Sequence, residues 1–402
     1  MPSNTNHDHS DELFQTHIGG AAMLEGVMMR GRYSWAVAVR EPEGGIYVEE
    51  HDVPGYGKKQ PWRTWPLVRG CVAMVESLVL QYKAMGITAA HAYDFDEDEA
   101  KKLEGKSEQE RAEARAEAER QIEQEKRQAS EEAETQGMAG WMAVSMIVGV
   151  ILGVALFMFV PAFVTNLVMG DYSHDNMIAW NLLDGVLRAV IFVLYMWLIA
   201  LMPDIKKMYR YHGAEHKTIH CLEHGLPLTP ENCMRFSRQH VRCGTAFIIM
   251  VLIVSIIVFT VFPTDMLVEA LGLEGGVGRF LVVLLTRVVL LPVVAGLSYE
   301  ITVRWAGQHP ENPLVKVVLA PGMAMQLITT NEPDTCHLEC AIAAMKAVVA
   351  REAREEGWEL GENGLPANIA SLAGCPLATD VPETAGACAA PAPAPAASVE
   401  KE

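Results

Sequence analysis

Four histidines recur at every fourth position within the stretch YHGAEHKTIHCLEHG, which covers residues 211–225. The stretch contains no proline and ends on a glycine, so it predicts a helix. Residues four apart lie on one face of a helix, which stacks His212 above His216 with Glu215 beside them. The same H-x-x-E-H order occurs in one class of zinc peptidase, where the imidazoles hold the metal and the carboxylate handles a proton. We therefore expect His212 and His216 to bind a divalent metal, Zn²⁺, with Glu215 as the catalytic proton acceptor.

A second helix is predicted close by, because the stretch LTPENCMRFSRQHVRCGTAF opens with Thr229 as an N-cap, followed by a proline. Near the end of this helix His240 and Cys243 are three apart and share a face. The short link GLPL favours an antiparallel pair, in which the end of the second helix lies near the start of the first. The expected metal ligands are therefore His212, His216, His240 and Cys243. Three protein ligands plus water are typical of catalytic zinc, and four protein ligands of structural zinc.

A different interpretation of the histidines stays open. Histidines and arginines beside a membrane often contact lipid headgroups, and two histidines four apart also arise by chance in His-rich helices. His220 and His224 drift away from the predicted metal face, so we expect them to contribute little.

Four apolar runs determine the fold class. They are long enough, and poor enough in charge, to span a hydrocarbon core of about 30 Å as helices. They cover approximately residues 141–168, 182–201, 245–262 and 280–297. We predict a mainly α polytopic membrane protein with four transmembrane helices, a cytosolic helical hairpin between spans 2 and 3, and a small N-terminal β-hairpin.

Basic residues predict the orientation of the spans. The link 202–244 carries seven Lys or Arg residues, whereas the links 169–181 and 263–278 carry none. Lys and Arg mark the cytoplasmic side of short loops. The first twenty residues are polar and acidic and lack the apolar core of a signal peptide. We therefore expect both termini and the histidine-rich link to be cytosolic.

Charge and cysteine content argue against nucleic-acid binding and against a disulfide framework. A net charge of −18 gives no support for nucleic-acid binding, which usually needs a basic patch. None of the eight cysteines falls in a predicted outward loop. In a reducing compartment this favours metal binding or packing over a disulfide framework.

The remaining sequence predicts a succession of regions. The regions, in chain order, are a disordered stretch 1–18; a cytosolic or interfacial region 19–93 with a β-hairpin over 34–53 and an amphipathic or re-entrant helix over 66–90; a charged helical or disordered linker 94–138; a four-span domain 139–305 containing the His-rich hairpin 203–243; an interfacial segment and C-terminal helix 306–360; and a disordered Ala/Pro-rich tail 361–402. Within them, Glu25 and Arg30 are expected to form a structural ion pair, and Glu300 to pair with Arg304. Whether 66–90 and 314–330 span, re-enter or lie on the membrane stays open.

Seven blocks carry a resemblance to a known family: GGAAMLEGVMMRG, LVRGCVAMVESL, YHGAEHKTI, LTPEN, RQHVRCGTAF, SYEITVR and APGMAMQLITTNEP. In this order, from about Gly19 to Ala350, they resemble the bacterial DUF1385, or YqhQ-like, membrane protein family. The resemblance implies residence in the bacterial cytoplasmic membrane and a predicted metal-dependent enzyme with no settled substrate. Family members commonly read GGQA where this chain has Ala21.

Two functions remain open from the sequence. One is a metal-dependent hydrolase that acts on a membrane-associated substrate at the cytosolic interface. The other is a non-catalytic membrane scaffold, insertion factor or quality-control factor with a structural metal. The expected partners are the lipid bilayer and other membrane proteins, and the number of ligands to the metal would discriminate the two functions.

Overall fold

A computed structural model of the protein describes residues 17–41, 45–53, 63, 65–92, 148–173, 175–262, 264–272, 276–306, 312–358 and 360. These residues divide into two compact units. The first draws on residues 1–93, 193–254 and 291–402, and the second on residues 94–192 and 255–290. The predicted linker 94–138, the predicted tail 361–402 and most of the predicted disordered stretch 1–18 lie outside the described residues.

The strands are β1 Gly19–Met23, β2 Gly26–Arg30, β3 Ser34–Arg40 and β4 Ile46–Asp52. The helices are α1 Val68–Ala92, α2 Val148–Met169, α3 Met177–Ile199, α4 Pro203–Glu223, α5 Pro230–Met234, α6 Gly244–Val261, α7 Thr264–Ala270, α8 Gly276–Trp305, α9 Pro313–Thr329 and α10 Thr335–Glu356. Residues Ala155–Phe159 of α2 and Glu300–Trp305 of α8 are π-helical.

The strands form one antiparallel sheet in the order β1-β2-β3-β4. The expected β-hairpin is present as β3 and β4, with Ser34 opposite Asp52 and Arg40 opposite Ile46. Two further strands, β1 and β2, extend it, and the glycine-punctuated sequence did not predict them. Successive side chains of a strand point to opposite faces of its sheet. The residues of β3 are therefore divided between the two faces.

Both faces of the sheet are covered within the first unit. On one face Ala36 and Ala38 pack with α4 and α10 in the larger hydrophobic core. On the other face Trp35, Val37 and Val39 pack with residues of α1. The helix predicted from the Asp334 or Thr335 cap is α10, whose cap has the Asp334 N–H donating to His337 Nδ1 at 3.2 Å. Gly357, at φ 68°, follows its last turn.

The histidine-rich helix is present as α4, but the second helix of the predicted hairpin is much shorter than expected. The predicted N-cap of this helix is confirmed, since Thr229 Oγ1 accepts a hydrogen bond from the Asn232 N–H. The prediction that this helix continues to Cys243 is wrong, because α5 ends at Met234. The buried Lys217 ammonium explains the end, since it donates to the backbone carbonyls of Met234 and Phe236.

Four of the described helices, α2, α3, α6 and α8, are long and apolar enough to cross a membrane. They correspond to the four predicted spans and are compatible with a membrane protein. The helix α1 does not meet those criteria, and α9 is apolar but only 17 residues long.

Buried charges link α3 and α8 in the second unit. The Asp184 carboxylate accepts hydrogen bonds from Arg188 at 2.7 Å and from Arg287 at 2.5 Å. Arg287 also donates to Asn181, and its guanidinium lies 4.8 Å from the Trp180 ring centroid. Ionisable residues in long apolar helices of this kind are rare and usually paired, and Asp184, Arg188 and Arg287 are paired with one another.

The ion pairs correct two predicted pairings, that of Glu25 with Arg30 and that of Glu300 with Arg304. Arg30 pairs with Glu76 of α1 rather than with Glu25. Glu25 instead faces α4, where Lys207 lies 2.5 Å away. Glu300 pairs with Arg69 rather than with its helical neighbour Arg304.

One described cysteine also departs from expectation. Cys336 is disulfide-bonded, which corrects the expectation of metal binding or packing at that position. The free cysteines among the described residues are Cys71, Cys221, Cys233, Cys243 and Cys340.

Candidate metal site

Two backbone carbonyls orient the first pair of histidines on α4. Nδ1 of His212 lies 2.9 Å from the Thr329 carbonyl oxygen, and Nδ1 of His216 lies 2.5 Å from the Arg238 carbonyl oxygen. A carbonyl can only accept, so each Nδ1 carries the proton. Each Nε2 therefore keeps its lone pair, which is the arrangement that metal-binding histidines usually show. The tautomers needed for metal binding are thus set by the surrounding backbone.

Cys243 completes a cluster of three ligand atoms. Its sulfur lies 3.2 Å from His212 Nε2. One ligand atom from each of His212, His216 and Cys243 lies within 4.8 Å of the others. Tetrahedral zinc with bonds of 2.0–2.3 Å separates its ligand atoms by about 3.5 Å. The three residues therefore fit one metal ion with small adjustments of their side chains.

Two buried polar atoms at this cluster have no hydrogen-bond partner in the described part of the chain. They are Nε2 of His216 and Oε2 of Glu215. His216 is 1% exposed and Glu215 is 4% exposed. Leaving a buried polar atom unsatisfied costs on the order of 1–3 kcal/mol. A cation bound by His216 Nε2 would satisfy that atom and would place a positive charge near Glu215, so the chemistry of the donor set fits a metal.

Glu215 lies beside the cluster but outside the set of three. Its Oε2 is 4.0 Å from His212 Nε2. Burial raises the pKa of Glu215 to about 7, against the lowering effects of His212 and of a hydrogen bond from the Gly20 backbone. Gly20 of β1 is essential to this contact, because a Cβ there would lie 2.8 Å from Glu215 Cγ. The first strand of the sheet therefore holds the carboxyl group in place.

Burial also lowers the pKa of His216, although the nearby Cys243 thiol acts in the opposite direction. A neutral imidazole is the form that binds metal. The environment thus favours the ligand form of this histidine.

The structure places His240 in a second cluster, with His220 and Glu223. His240 Nε2 lies 3.4 Å from Glu223 Oε2, and Arg242 forms an ion pair with the same carboxylate. The Arg242 backbone N–H donates to His240 Nδ1 at 3.3 Å. This puts the imidazole proton on Nε2, where it is donated to Glu223 and is unsuited to binding a metal. We interpret the second cluster as an ion-pair network.

The electrostatics of Glu223 agree with that interpretation. Burial opposes ionisation of Glu223, but hydrogen bonding to His240 and the charge of Arg242 lower its pKa to about 2. His224 is the C-cap residue that follows α4, and its Nδ1 is 2.7 Å from the His220 carbonyl oxygen. His220 and His224 are therefore both away from the three-ligand cluster.

The sequence did not point to the residues of α9 that hold His212 and His240 in place, because this segment was predicted only to lie at the membrane interface. Thr329 is the last residue of α9, so its carbonyl has no helical partner and is available to His212. Gln326, fully buried, accepts from the His240 N–H at 2.8 Å and donates to the His240 carbonyl at 2.9 Å. A glutamine and a threonine three apart on an apolar helix were the available signal.

Comparison with known proteins identifies the family to which this chain belongs. The model for a family described as "Protein of unknown function (DUF1385)" matches residues 65–351, which includes α4, α9 and Cys243. This chain belongs to the DUF1385 family. It is 28% identical over 338 residues to "Uncharacterized protein YqhQ" of Bacillus subtilis (strain 168), covering 84% of this chain and 94% of that protein.

Membership of the DUF1385 family confirms the resemblance seen in the motif blocks. It assigns neither an activity nor a metal, because both descriptions leave function open. No solved structure matches this chain. The case for a metal site therefore rests on the geometry of the described residues.

Proposed function

We propose that this protein is a zinc-dependent hydrolase with His212, His216 and Cys243 as its metal ligands. The observation that carries the proposal is the convergence of one ligand atom from each of His212, His216 and Cys243. Among the described residues, the buried His216 Nε2 and the neighbouring Glu215 Oε2 have no hydrogen-bond partner. Two imidazoles and one thiolate suit Zn²⁺ better than they suit Mg²⁺ or Ca²⁺, which prefer oxygen ligands.

The number of ligands favours catalysis over a structural role. Structural zinc usually has four protein ligands, whereas catalytic zinc has three and an open position. His240 was the expected fourth ligand, but its side chain hydrogen-bonds to Glu223 instead. A scaffold with a structural metal is the alternative, and a fourth ligand that closes the site would favour it.

The residues have distinct roles under this proposal. His212, His216 and Cys243 would hold Zn²⁺, which when bound would supply Lewis acidity for the activation of water near neutral pH. Glu215, 4.0 Å from His212 Nε2, accepts a proton from the attacking water and returns it to the leaving group. The Thr329 and Arg238 carbonyls keep the two imidazoles in place during the reaction.

The position of the site in the chain supports a membrane-associated substrate. Cys243 directly precedes α6, and α4 begins four residues after α3 ends. His212 is nine residues into α4, which is on the order of 14 Å along the helix axis. We propose that the site lies at the cytosolic face of the bacterial cytoplasmic membrane, where it acts on a lipid-linked molecule or on a peptide of a membrane protein.

Cobalt substitution tests the proposal without a known substrate. The protein is purified in detergent, its zinc is measured by elemental analysis, and Co²⁺ is exchanged into it. We expect one metal per chain and a thiolate-to-cobalt charge-transfer band that disappears in Cys243→Ser. Acetohydroxamate, a small chelating inhibitor, should shift the visible bands because one coordination position is open.

Matched variants separate the outcomes. Glu215→Gln should retain the metal and the charge-transfer band, since Glu215 is not a ligand. A chain without stoichiometric metal would overturn the metal site. A cobalt spectrum that acetohydroxamate leaves unchanged, with loss of metal in His240→Ala, would instead support the structural alternative.

A further inference from the structure

Within the described part of the chain, the helix α1 leaves one apolar face uncovered, and this face runs along the helix on the side opposite the sheet. Leu80 and Ala84 are buried against the sheet. The opposite side carries five large apolar side chains that are 47–61% exposed: Val75, Leu78, Val79, Tyr82 and Met85. Their three- and four-residue spacing makes a continuous stripe. We call these five residues the α1 stripe.

The charged residues of α1 lie on a different flank of the helix. Arg69, Glu76 and Lys83 are seven residues apart, so they follow one line along the helix. Glu76 forms ion pairs with Arg30 and Arg63, and Arg69 forms one with Glu300. No charged side chain of the described α1 falls within the α1 stripe itself. The stripe therefore presents no charged group.

The start of α1 is attached to a helix that is apolar enough to span the membrane. Gly70 and Gly296 allow α1 and α8 to approach closely, since a Cβ on Gly70 would lie 2.6 Å from Tyr299 Cβ. The Cys71 thiol donates to the Pro292 carbonyl at 3.0 Å. Pro292, Gly296 and Tyr299 all belong to the apolar helix α8. The α1 stripe thus begins beside a surface that lipid is expected to cover.

We propose that the α1 stripe inserts into the apolar surface layer of the lipid bilayer and that α1 lies along the membrane as an interfacial helix. An exposed apolar stripe with polar flanks is the form that interfacial helices take. Spanning is disfavoured because the other face of α1 packs against a sheet whose edge strand carries Glu49, Glu50 and Asp52. The occupant is lipid rather than protein, because the stripe continues from α8.

Insertion of the α1 stripe into the bilayer would also position the rest of the first unit. The sheet packs on α1 with one face, and its strand β1 holds Glu215 through Gly20. Lipid contact along the α1 stripe would therefore keep the sheet and the α4 helix close to the bilayer surface. This inference does not depend on whether the neighbouring cluster binds a metal.

Photo-crosslinking in lipid nanodiscs tests the proposal with the full chain. A diazirine amino acid replaces Leu78 or Tyr82 by codon suppression, and phospholipid adducts are measured by mass spectrometry of the labelled peptide. Leu194, an exposed apolar residue of α3, serves as the lipid-contacting control. Glu355, an exposed residue near the end of α10, serves as the water-exposed control.

We expect lipid adducts at Leu78 and Tyr82 within about threefold of the Leu194 yield, and background yield at Glu355. The yield should not change between phosphatidylcholine and phosphatidylglycerol, because the contact is apolar. Adducts at Leu194 establish that the chain is inserted. Background yield at Leu78 in the same preparation would then overturn the proposal, as would crosslinks from Leu78 to a second copy or to another protein.

Discussion

The Cys243 sulfur lies 3.2 Å from Nε2 of His212, although 31 residues separate them in the chain. His212 reaches this position because its other ring nitrogen is held by the Thr329 carbonyl at the end of α9. A loop cysteine, a helical histidine and the last carbonyl of a third element therefore define one site.

His216→Ala should remove the bound metal, whereas His224→Ala should leave it unchanged. His216 contributes a buried Nε2 aimed at the cluster, while Nδ1 of His224 faces the His220 carbonyl. Elemental analysis of the purified variants gives the metal content per chain. Equal loss of metal in both variants would show that the cluster has been assigned to the wrong histidines.

Gly20→Ala should destabilise the first unit, and Gly19→Ala serves as its matched control. A Cβ on Gly20 would lie 2.7 Å from the Met28 carbonyl oxygen and 2.8 Å from Glu215 Cγ, whereas a Cβ on Gly19 would meet nothing within 4 Å. Overpacking of this kind typically costs about 1–3 kcal/mol. Thermal unfolding in detergent measures the difference, and equal melting temperatures for the two variants would contradict the contact with Glu215.

Acidification should weaken the packing of α10 through His337. Burial lowers the pKa of His337 to about 4, against the raising effect of Asp334, whereas an unfolded histidine titrates near 6.5. Its stabilising contribution is therefore complete above about pH 6.5, and it is lost as the pH falls towards 4. The difference between the folded and unfolded pKa values of His337 corresponds to about 3 kcal/mol in the free energy of unfolding.

His337→Gln isolates this contribution, because glutamine can accept the Asp334 N–H in the helix cap but does not titrate. The free energy of unfolding is measured for both proteins between pH 7 and pH 4 (roughly the window set by the two pKa values). We expect a smaller loss of stability in the variant. Identical pH dependence in the two proteins would count against a buried, neutral His337.

Asp184→Asn should strongly destabilise the second unit. Asp184 accepts hydrogen bonds from both Arg188 and Arg287, and all three residues are buried. Removing one member of a buried ion pair typically costs about 3–5 kcal/mol, since the remaining charge is left uncompensated. Asp175→Asn, at an exposed loop position, should change stability by less than about 0.5 kcal/mol. Unfolding in mixed detergent compares them, and a neutral Asp184→Asn would refute a structural role.

Local sequence was sufficient for the features that depend on helix geometry and composition. The four-residue spacing of His212 and His216 predicted a shared face, because a helix repeats every 3.6 residues whatever it packs against. Long apolar runs predicted the four helices that are long and apolar enough to cross a membrane, since the hydrocarbon thickness sets the length that such a helix needs. The cap at Thr229 likewise predicted where α5 begins.

The second half of the site depended on contacts that are distant in sequence. Residues 235–243 have reasonable helical sequence, yet Lys217 binds the Met234 and Phe236 carbonyls and Gln326 binds both backbone groups of His240. Helix propensity differs among ordinary residues by only about a few tenths of a kcal/mol per residue. The buried hydrogen bonds therefore outweigh it. They separate Cys243 from His240.

The membership of the candidate cluster was therefore decided by tertiary structure. From the sequence, His240 and Cys243 were equivalent candidates three residues apart on one predicted helix. In the structure the Arg242 N–H fixes the His240 tautomer for donation to Glu223, while Cys243 faces His212. The sequence alone determined that histidines, a carboxylate and a thiol lie next to helices that are long and apolar enough to span a membrane. Only the folded chain decides which of them converge, because hydrogen-bond partners from distant segments set the direction of each side chain.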